Sequence, residues 1–331
     1  MNPSHPTRRS LLTQATALSA AMALPAMAQQ GTGFPKGTVR IIIPLSAGGA
    51  ADAQTRPLAV ELQNALKETV IVDNKPGGLF MIGLQSLLQA PADGHTLLYL
   101  YNSVASVQAV HKKFEINRQL IPVTQTTAMP MVLLVPGTSR FKTLAEMVDY
   151  GRAHPGTLNY GTLGVGSTEH LKAVQLERAA GITAMNVPFR AGPEMVRGLI
   201  GSEIDFVLTA STFAHTFAPK GQVRVLAVID SERMKEMPDV PTIAQAGVNI
   251  PPLVFWSGYA VRADTPAAIV QRLHAELIAA ATSATVQNAL SPMGITAATS
   301  RSPQDFRKLI SDEVAWMSEI SRDMQIVPDK T

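Results

Sequence analysis

The chain has 331 residues, 46% of them apolar and 16% charged, with a formal net charge of +3. That composition supports a sizeable core, and without a basic stripe nucleic acid is not expected as a partner. The absence of cysteine excludes disulfides, thiolate metal sites and a lipidated N-terminal cysteine.

The first element is an export signal over 1–28. Thr7-Arg-Arg-Ser-Leu-Leu12 leads into an apolar stretch to Leu24, and Ala26-Met-Ala28 offers a small-x-small cleavage site. The paired arginines suit the twin-arginine or the general secretory route. Cleavage after Ala28 removes Arg8 and Arg9 and lowers the formal charge from +3 to +1. The apolar run is too short and too mixed with Thr, Gln and Ser to span a bilayer. Export without a lipid anchor points to the periplasm.

The organising stretch follows: Val39-Arg-Ile-Ile-Ile-Pro-Leu-Ser-Ala-Gly-Gly-Ala-Ala-Asp52. Its β-branched half reads as a buried parallel strand, and Leu58, Leu62 and Leu66 recur beyond it at helical spacing. The order is strand, bare loop, helix. Pro57 should loosen or bend that helix. Further strands are read over 69–73 and 96–100 with a helix over 82–88 between them, a β-α-β-α-β order that requires a parallel sheet.

A second series begins with a strand over 131–135. Thr143-Leu-Ala-Glu146 is a capping box that starts a helix. Asn159 to His170 then repeats the opening theme, a strand end running into a glycine loop and a helix carrying Leu171, Val174 and Leu176. Strands over 185–189, 204–208 and 223–229 follow, with helices over 193–200 and 242–246. Ile250-Pro-Pro252 reads as a linker, and a strand over 255–261 returns to the first sheet. Thr265-Pro266 and Ser302-Pro303 open two last helices, with Pro at the first helical position. The expected division is lobe 1 over 34–130 and 251–331, and lobe 2 over 131–250.

Catalytic signatures are missing. Gly164-Val-Gly-Ser-Thr-Glu169 is only a partial dinucleotide fingerprint, and there is no nucleophile elbow, phosphate loop or H-E-x-x-H. No metal or cofactor is expected. His170 reads as an orienting residue or a proton carrier, with the orienting role favoured. Asp52 reads as a helix-end carboxylate in preference to a catalyst. Ser167 and Thr168 either cap their own helix or reach a ligand. Each helix N-terminus contributes roughly 0.3–1 kcal/mol to a nearby anion, and each hydrogen bond to a charged group about 1.5–3 kcal/mol. Two such corners facing each other would hold a carboxylate without an arginine.

Several motifs in fixed order now carry a resemblance. Val39 to Pro44 running into Ala47 to Asp52, Val70-Ile-Val-Asp-Asn-Lys-Pro-Gly77, Pro91-Ala-Asp-Gly-His-Thr-Leu-Leu98, Tyr160 through His170, Val187-Pro-Phe-Arg190 and Pro238-Asp-Val-Pro-Thr242 resemble the extracytoplasmic solute receptors of the tripartite tricarboxylate transporter group, or Bug family. The resemblance implies an α/β fold of the type II periplasmic binding class, two lobes joined by a two-strand hinge, with the C-terminal helices on the first. It implies a monomeric, non-enzymatic receptor that holds an organic acid, a mono- or dicarboxylate whose body can be aromatic, in the cleft and passes it to membrane permease subunits. The ligand-binding positions carried over are Ser46, Ala47, Gly48, Gly49, Asp52, Asn102, Gly164, Gly166, Ser167, Thr168, His170 and Thr209.

Three departures stand out: Leu79 and Phe80 replace a glycine-rich turn, Thr209 stands where an aspartate is usual, and Phe189 replaces a tyrosine. They point to a more apolar cleft, unless Phe80 merely packs beneath its loop. The competing functions are an exported hydrolase or transferase using His170 and Ser167, and a ligand-sensing partner of a membrane kinase.

Overall fold

The computed structural model describes residues 33–78, 80–112, 114–323 and 325; the export signal expected over 1–28 lies outside them. The first sheet starts with β1 (Val39–Ile43), whose Ile41, Ile42 and Ile43 are fully buried. After it come α1 (Ala50–Leu66), β2 (Val70–Asn74), α2 (Met81–Leu88) and β3 (Thr96–Tyr101). Strands β2, β1 and β3 lie side by side and parallel, with Val39 opposite Val70 and Ile41 opposite Leu97. This is the arrangement that crossover helices demand. Helix α1 buries Leu58, Leu62 and Leu66 and runs on through Pro57 without a break.

A short helix, α3 (Ser103–Ser106), continues as a π-helical turn over Val107–His111, and α4 (Ile116–Gln119) leads into β4 (Leu120–Pro136). The sequence predicts only 131–135 of this 17-residue strand. Its first part pairs antiparallel with β9 (Val254–Arg262), from Leu120 opposite Arg262 to Pro130 opposite Val254, with register shifts near Pro122 and Gln125. Its last part pairs with β7 (Phe206–Ala210) and β8 (Val223–Val228). One strand therefore serves both sheets.

The second sheet takes in α5 (Leu144–Ala153), β5 (Leu158–Thr162), α6 (Thr168–Ala180), β6 (Ala184–Pro188), α7 (Gly192–Ile200), β7, α8 (Ser211–Phe217) and β8. The Thr143 side chain accepts the Glu146 N–H at 3.2 Å, as the capping box requires. The full strand order is β2-β1-β3-β9-β4-β7-β5-β6. The predicted helix over 242–246 is instead a turn, closed by Ala246 N–H to Thr242 O and Gly247 N–H to Ala244 O. The segment is too short, and too close to its glycine, to propagate.

The chain ends with α9 (Ala267–Ala281), α10 (Ala284–Leu290), a 3₁₀ turn, β10 (Thr296–Ala297) and α11 (Pro303–Asp323). Pro266 occupies the cap position of α9 and Ala267 the first helical position, one residue later than expected. Helices α9 and α10 pack on α1, and α11 lies along β4 and the π-helical turn. Phe306 and Ile310 of α11 join Ile42, Leu98, Val104 and Trp256 in one core, each large side chain contributing about 1.5–3 kcal/mol on burial. The second sheet has its own layers, Leu133, Leu158, Tyr160 and Phe206 on one face and Val132, Met195, Leu199 and Val207 on the other. A smaller cluster of Ala105, Val110, Leu171 and Met317 joins the two halves.

Candidate functional site

Parallel strands present their carboxyl ends at one edge, where loops stand free to bind. At the edge of the first sheet, residues 46–50 are exposed. Gly48 has φ 81°, a left-handed conformation that favours glycine, with open space where a Cβ would sit. The N–H groups of Ser46, Ala47, Gly49, Ala50 and Ala51 find no acceptor among the described residues, and Gly49 caps α1 without a side-chain bond. Five main-chain donors are left bare in one turn of chain.

Asp52 explains why this corner keeps its shape. Its carboxylate accepts the Gly48 N–H, the Asn74 side-chain amide at 3.1 Å and Arg56 at 3.2 Å. Burial opposes its ionisation, but these three donors outweigh burial and hold its pKa below the usual value. The structure thus gives Asp52 the helix-end role. Gln54, two residues on, accepts from Thr127 and Ser257, each at 2.7 Å, and so ties α1 to β4 and β9.

The second corner follows β5. Gly164 at φ 108° and Gly166 at φ 81° need glycine, and a Cβ on Gly166 would stand 2.7 Å from Val110. The Ser106 hydroxyl donates to the Gly166 carbonyl, so the segment after β3 touches this loop. Ser167 caps α6 by accepting the His170 N–H at 3.3 Å. His170 accepts the Gly166 N–H through Nδ1 at 3.0 Å and stacks on Tyr160. Burial lowers its pKa, which suits a neutral ring with the proton on Nε2. His170 therefore orients the loop.

Two expected ligand residues are buried. Asn102 is buried, donating to Glu313 at 2.7 Å and Val254 O at 3.3 Å while accepting the Trp256 N–H at 2.7 Å. Its amide is spent in tying β3 to β9 and α11. Thr209 is buried in β7 opposite Val132. Phe80, read either as lining an apolar cleft or as packing beneath its loop, packs against Phe114 at 5.4 Å inside the first core. It lies beneath its loop.

The sequence reading missed Glu169 and Ser211. Glu169 is 6% exposed with Oε2 unpartnered, Thr168 is 1% exposed with Oγ1 unpartnered, and the buried Ser211 hydroxyl also lacks a partner. In sequence Glu169 resembles any first-turn acid at a helix N-terminus, and nothing but burial distinguishes it. Among the described residues no cluster of His, Asp and Glu could hold a metal ion, and no helix is long and apolar enough to cross a membrane. Two surface depressions, one beside Gln63 and Val70 and one beside Gln125 and Lys308, share no residue with either corner.

Residues 55–326 match the tripartite tricarboxylate transporter family receptor. The chain is 30% identical over 274 residues to a UPF0065 protein in the tcbD-tcbE intergenic region of Pseudomonas sp. strain P51, covering 82% of each. It is 26% identical to Protein BugT of Bordetella pertussis, covering 88% of this chain and 90% of that one. Among solved structures it is similar to MatC from Rhodopseudomonas palustris with bound malate, with a TM-score of 0.77, 25% identity, and coverage of 87% of this chain and 99% of that one.

Proposed function

We propose that this chain, which belongs to the tripartite tricarboxylate transporter family of receptors, captures a small carboxylate between the corner after β1 and the corner after β5. One observation carries the reading: the N–H groups of Ser46, Ala47, Gly49, Ala50 and Ala51 have no acceptor among the described residues. A carboxylate there would gain about 1.5–3 kcal/mol per charge-assisted hydrogen bond and roughly 0.3–1 kcal/mol from the α1 dipole. The malate bound by MatC, at 25% identity, supports the same chemistry.

In this reading Ser46, Ala47 and Gly49 grip from the first lobe, with Gly48 turning the chain and Asp52 bracing it. Gly164, Gly166, Ser167 and Thr168, braced by His170, close from the second. The first lobe comprises 34–130 and 251–331, the second 131–250, and the paired strands β4 and β9 form the hinge. A ligand touching both corners favours the closed arrangement by binding it better than the open one. The loaded receptor then hands its solute to membrane permease subunits from the periplasm, after removal of residues 1–28.

The experiment is a thermal-shift and calorimetric screen of the purified chain from Gln29 onward against mono- and dicarboxylates, with each hit recovered and checked for chemical change. Saturable binding of an unaltered acid supports the reading. Turnover, or no binding across the panel, sinks it.

A further inference from the structure

The second wall of this cleft carries more polarity than its backbone needs. Strands β5 and β7 are neighbours and parallel, with Tyr160 opposite Phe206 and Gly161 opposite Val207, so their carboxyl ends share an edge. Three buried side-chain oxygens without partners follow these two strands: Thr168 Oγ1 and Glu169 Oε2 in the first turn of α6 after β5, and Ser211 Oγ at the start of α8 after β7. Ser167, two residues before Glu169, caps the same helix by accepting the His170 N–H, so the turn that carries the carboxyl is fixed. Burial, and after it the Glu169 charge, raise the Tyr101 pKa, so the carboxyl is linked electrostatically to the end of β3 as well.

A buried carboxylate oxygen with no donor is costly. A bare anionic ligand makes it worse, since like charges in one enclosure repel. A ligand with its own proton donor reverses the sign. From this we propose that Glu169, with Thr168 on the same helical turn and Ser211 after the neighbouring strand, selects carboxylates whose body bears a proton-donating substituent, a hydroxyl or an ammonium, over the same acids without one. The proposal rests on the receptor reading above and adds the substituent to it. Burial holds the Glu169 carboxyl above its ordinary range, as expected where donors are short. The two hydroxyls can each give or accept, so they suit either substituent.

The test uses matched acids that differ in one group: succinate, malate and aspartate, then 3-phenylpropionate, phenyllactate and phenylalanine. Affinities are measured by calorimetry on the chain from Gln29 onward, on Glu169→Leu and on Glu169→Gln. We expect the hydroxylated or aminated member of at least one series to bind about tenfold more tightly, a difference of ~1.4 kcal/mol. Glu169→Leu should bring that ratio towards one, while Glu169→Gln, which keeps an acceptor oxygen, retains part of it. The arms separate the sources, since an ammonium loses more than a hydroxyl when the charge is removed. Equal affinity within every series for the unaltered chain overturns the proposal and leaves the receptor reading standing. An undiminished ratio in Glu169→Leu also overturns it. Should Glu169→Leu fail to fold, the Glu169→Gln ratio decides: no decrease overturns the proposal. Failure of all six acids and of the wider carboxylate panel to bind removes both readings.

Discussion

His170 Nδ1 accepts the Gly166 N–H at 3.0 Å, closing the glycine loop over the first turn of its own helix. A side chain four residues ahead thus fixes a main-chain corner. This bond makes the ring a positioning group, and it can do so only with Nδ1 unprotonated. We expect His170→Ala to cost about 1–3 kcal/mol of stability, the range for stranding a donor, and to weaken carboxylate binding severalfold. His170→Gln, whose side-chain oxygen can accept, should recover part of both. Since burial lowers the folded pKa, the unfolded chain takes up more protons near pH 6, so this contribution is present above pH ~6.5 and declines as pH falls. Denaturant melts between pH 5 and 8 on the parent and His170→Gln check the sign.

Gly48 and Gly166 separate backbone freedom from packing. Both have φ 81°, yet a Cβ on Gly48 meets open space whereas one on Gly166 would stand 2.7 Å from Val110 Cγ1. For Gly48→Ala we expect a loss of roughly 1–2 kcal/mol from the left-handed conformation alone, together with weaker ligand binding because the bare donors are re-aimed. Gly166→Ala carries the same strain plus the clash with Val110 and should cost more. Trimming Val110 to Ala should rescue part of Gly166→Ala and none of Gly48→Ala. Equilibrium unfolding of the four variants tests this ordering.

The parts of the architecture that were legible in the sequence are those with local signals. The β-branched run of β1, the helical spacing of Leu58, Leu62 and Leu66, and the Thr143 capping box are each written within a few residues. The first part of β4 was not legible, because Pro122 and Pro130 and the polar Thr124 to Thr127 hide a strand whose stability comes from pairing with β9 more than 120 residues later. At the candidate site the glycine corners were visible as composition. The burial of Asn102, Thr209 and Glu169 was not, since each depends on partners from distant segments, such as Glu313 and Trp256 around Asn102.

Phe80 illustrates that division and gives a sharp test. It holds φ 78° at the start of α2, a conformation suited to glycine, yet its ring is 2% exposed against Phe114. Phe80→Gly relieves backbone strain worth roughly 1–2 kcal/mol but removes a buried ring worth about 3–5 kcal/mol in Phe→Ala series. The ring dominates, so we expect a net loss of ~1–4 kcal/mol. Preference between aromatic and aliphatic acids should stay unchanged, because the ring belongs to the core. A shifted ligand profile with unchanged stability would put Phe80 back in the cleft.

The last expectation concerns Glu313 and Lys172, which enclose the junction of α6 and α11. Glu313 accepts from the Asn102 amide and the Trp256 indole N–H, and burial lifts its carboxyl to about 7 despite those donors and Lys172. Lys172 donates to Pro251 O at 2.7 Å and stands 4.6 Å over the Trp316 ring, and burial lowers its pKa to about 7 against the pull of Glu313. The two groups act in different windows. Glu313 keeps its proton longer in the folded state, so its contribution is full below pH ~4.5 and is lost as pH rises towards 7. Lys172 sheds its proton earlier in the folded state, so its unfavourable charging eases as pH rises from 7 towards ~10.5. Glu313→Gln mimics the protonated acid and removes the first limb. Its melting temperature relative to the parent should therefore climb by a few degrees between pH 5 and pH 7.5, then level off. A difference that stays flat over that range would mean that Glu313 is ionised throughout and that the Asn102 and Trp256 donors outweigh its burial.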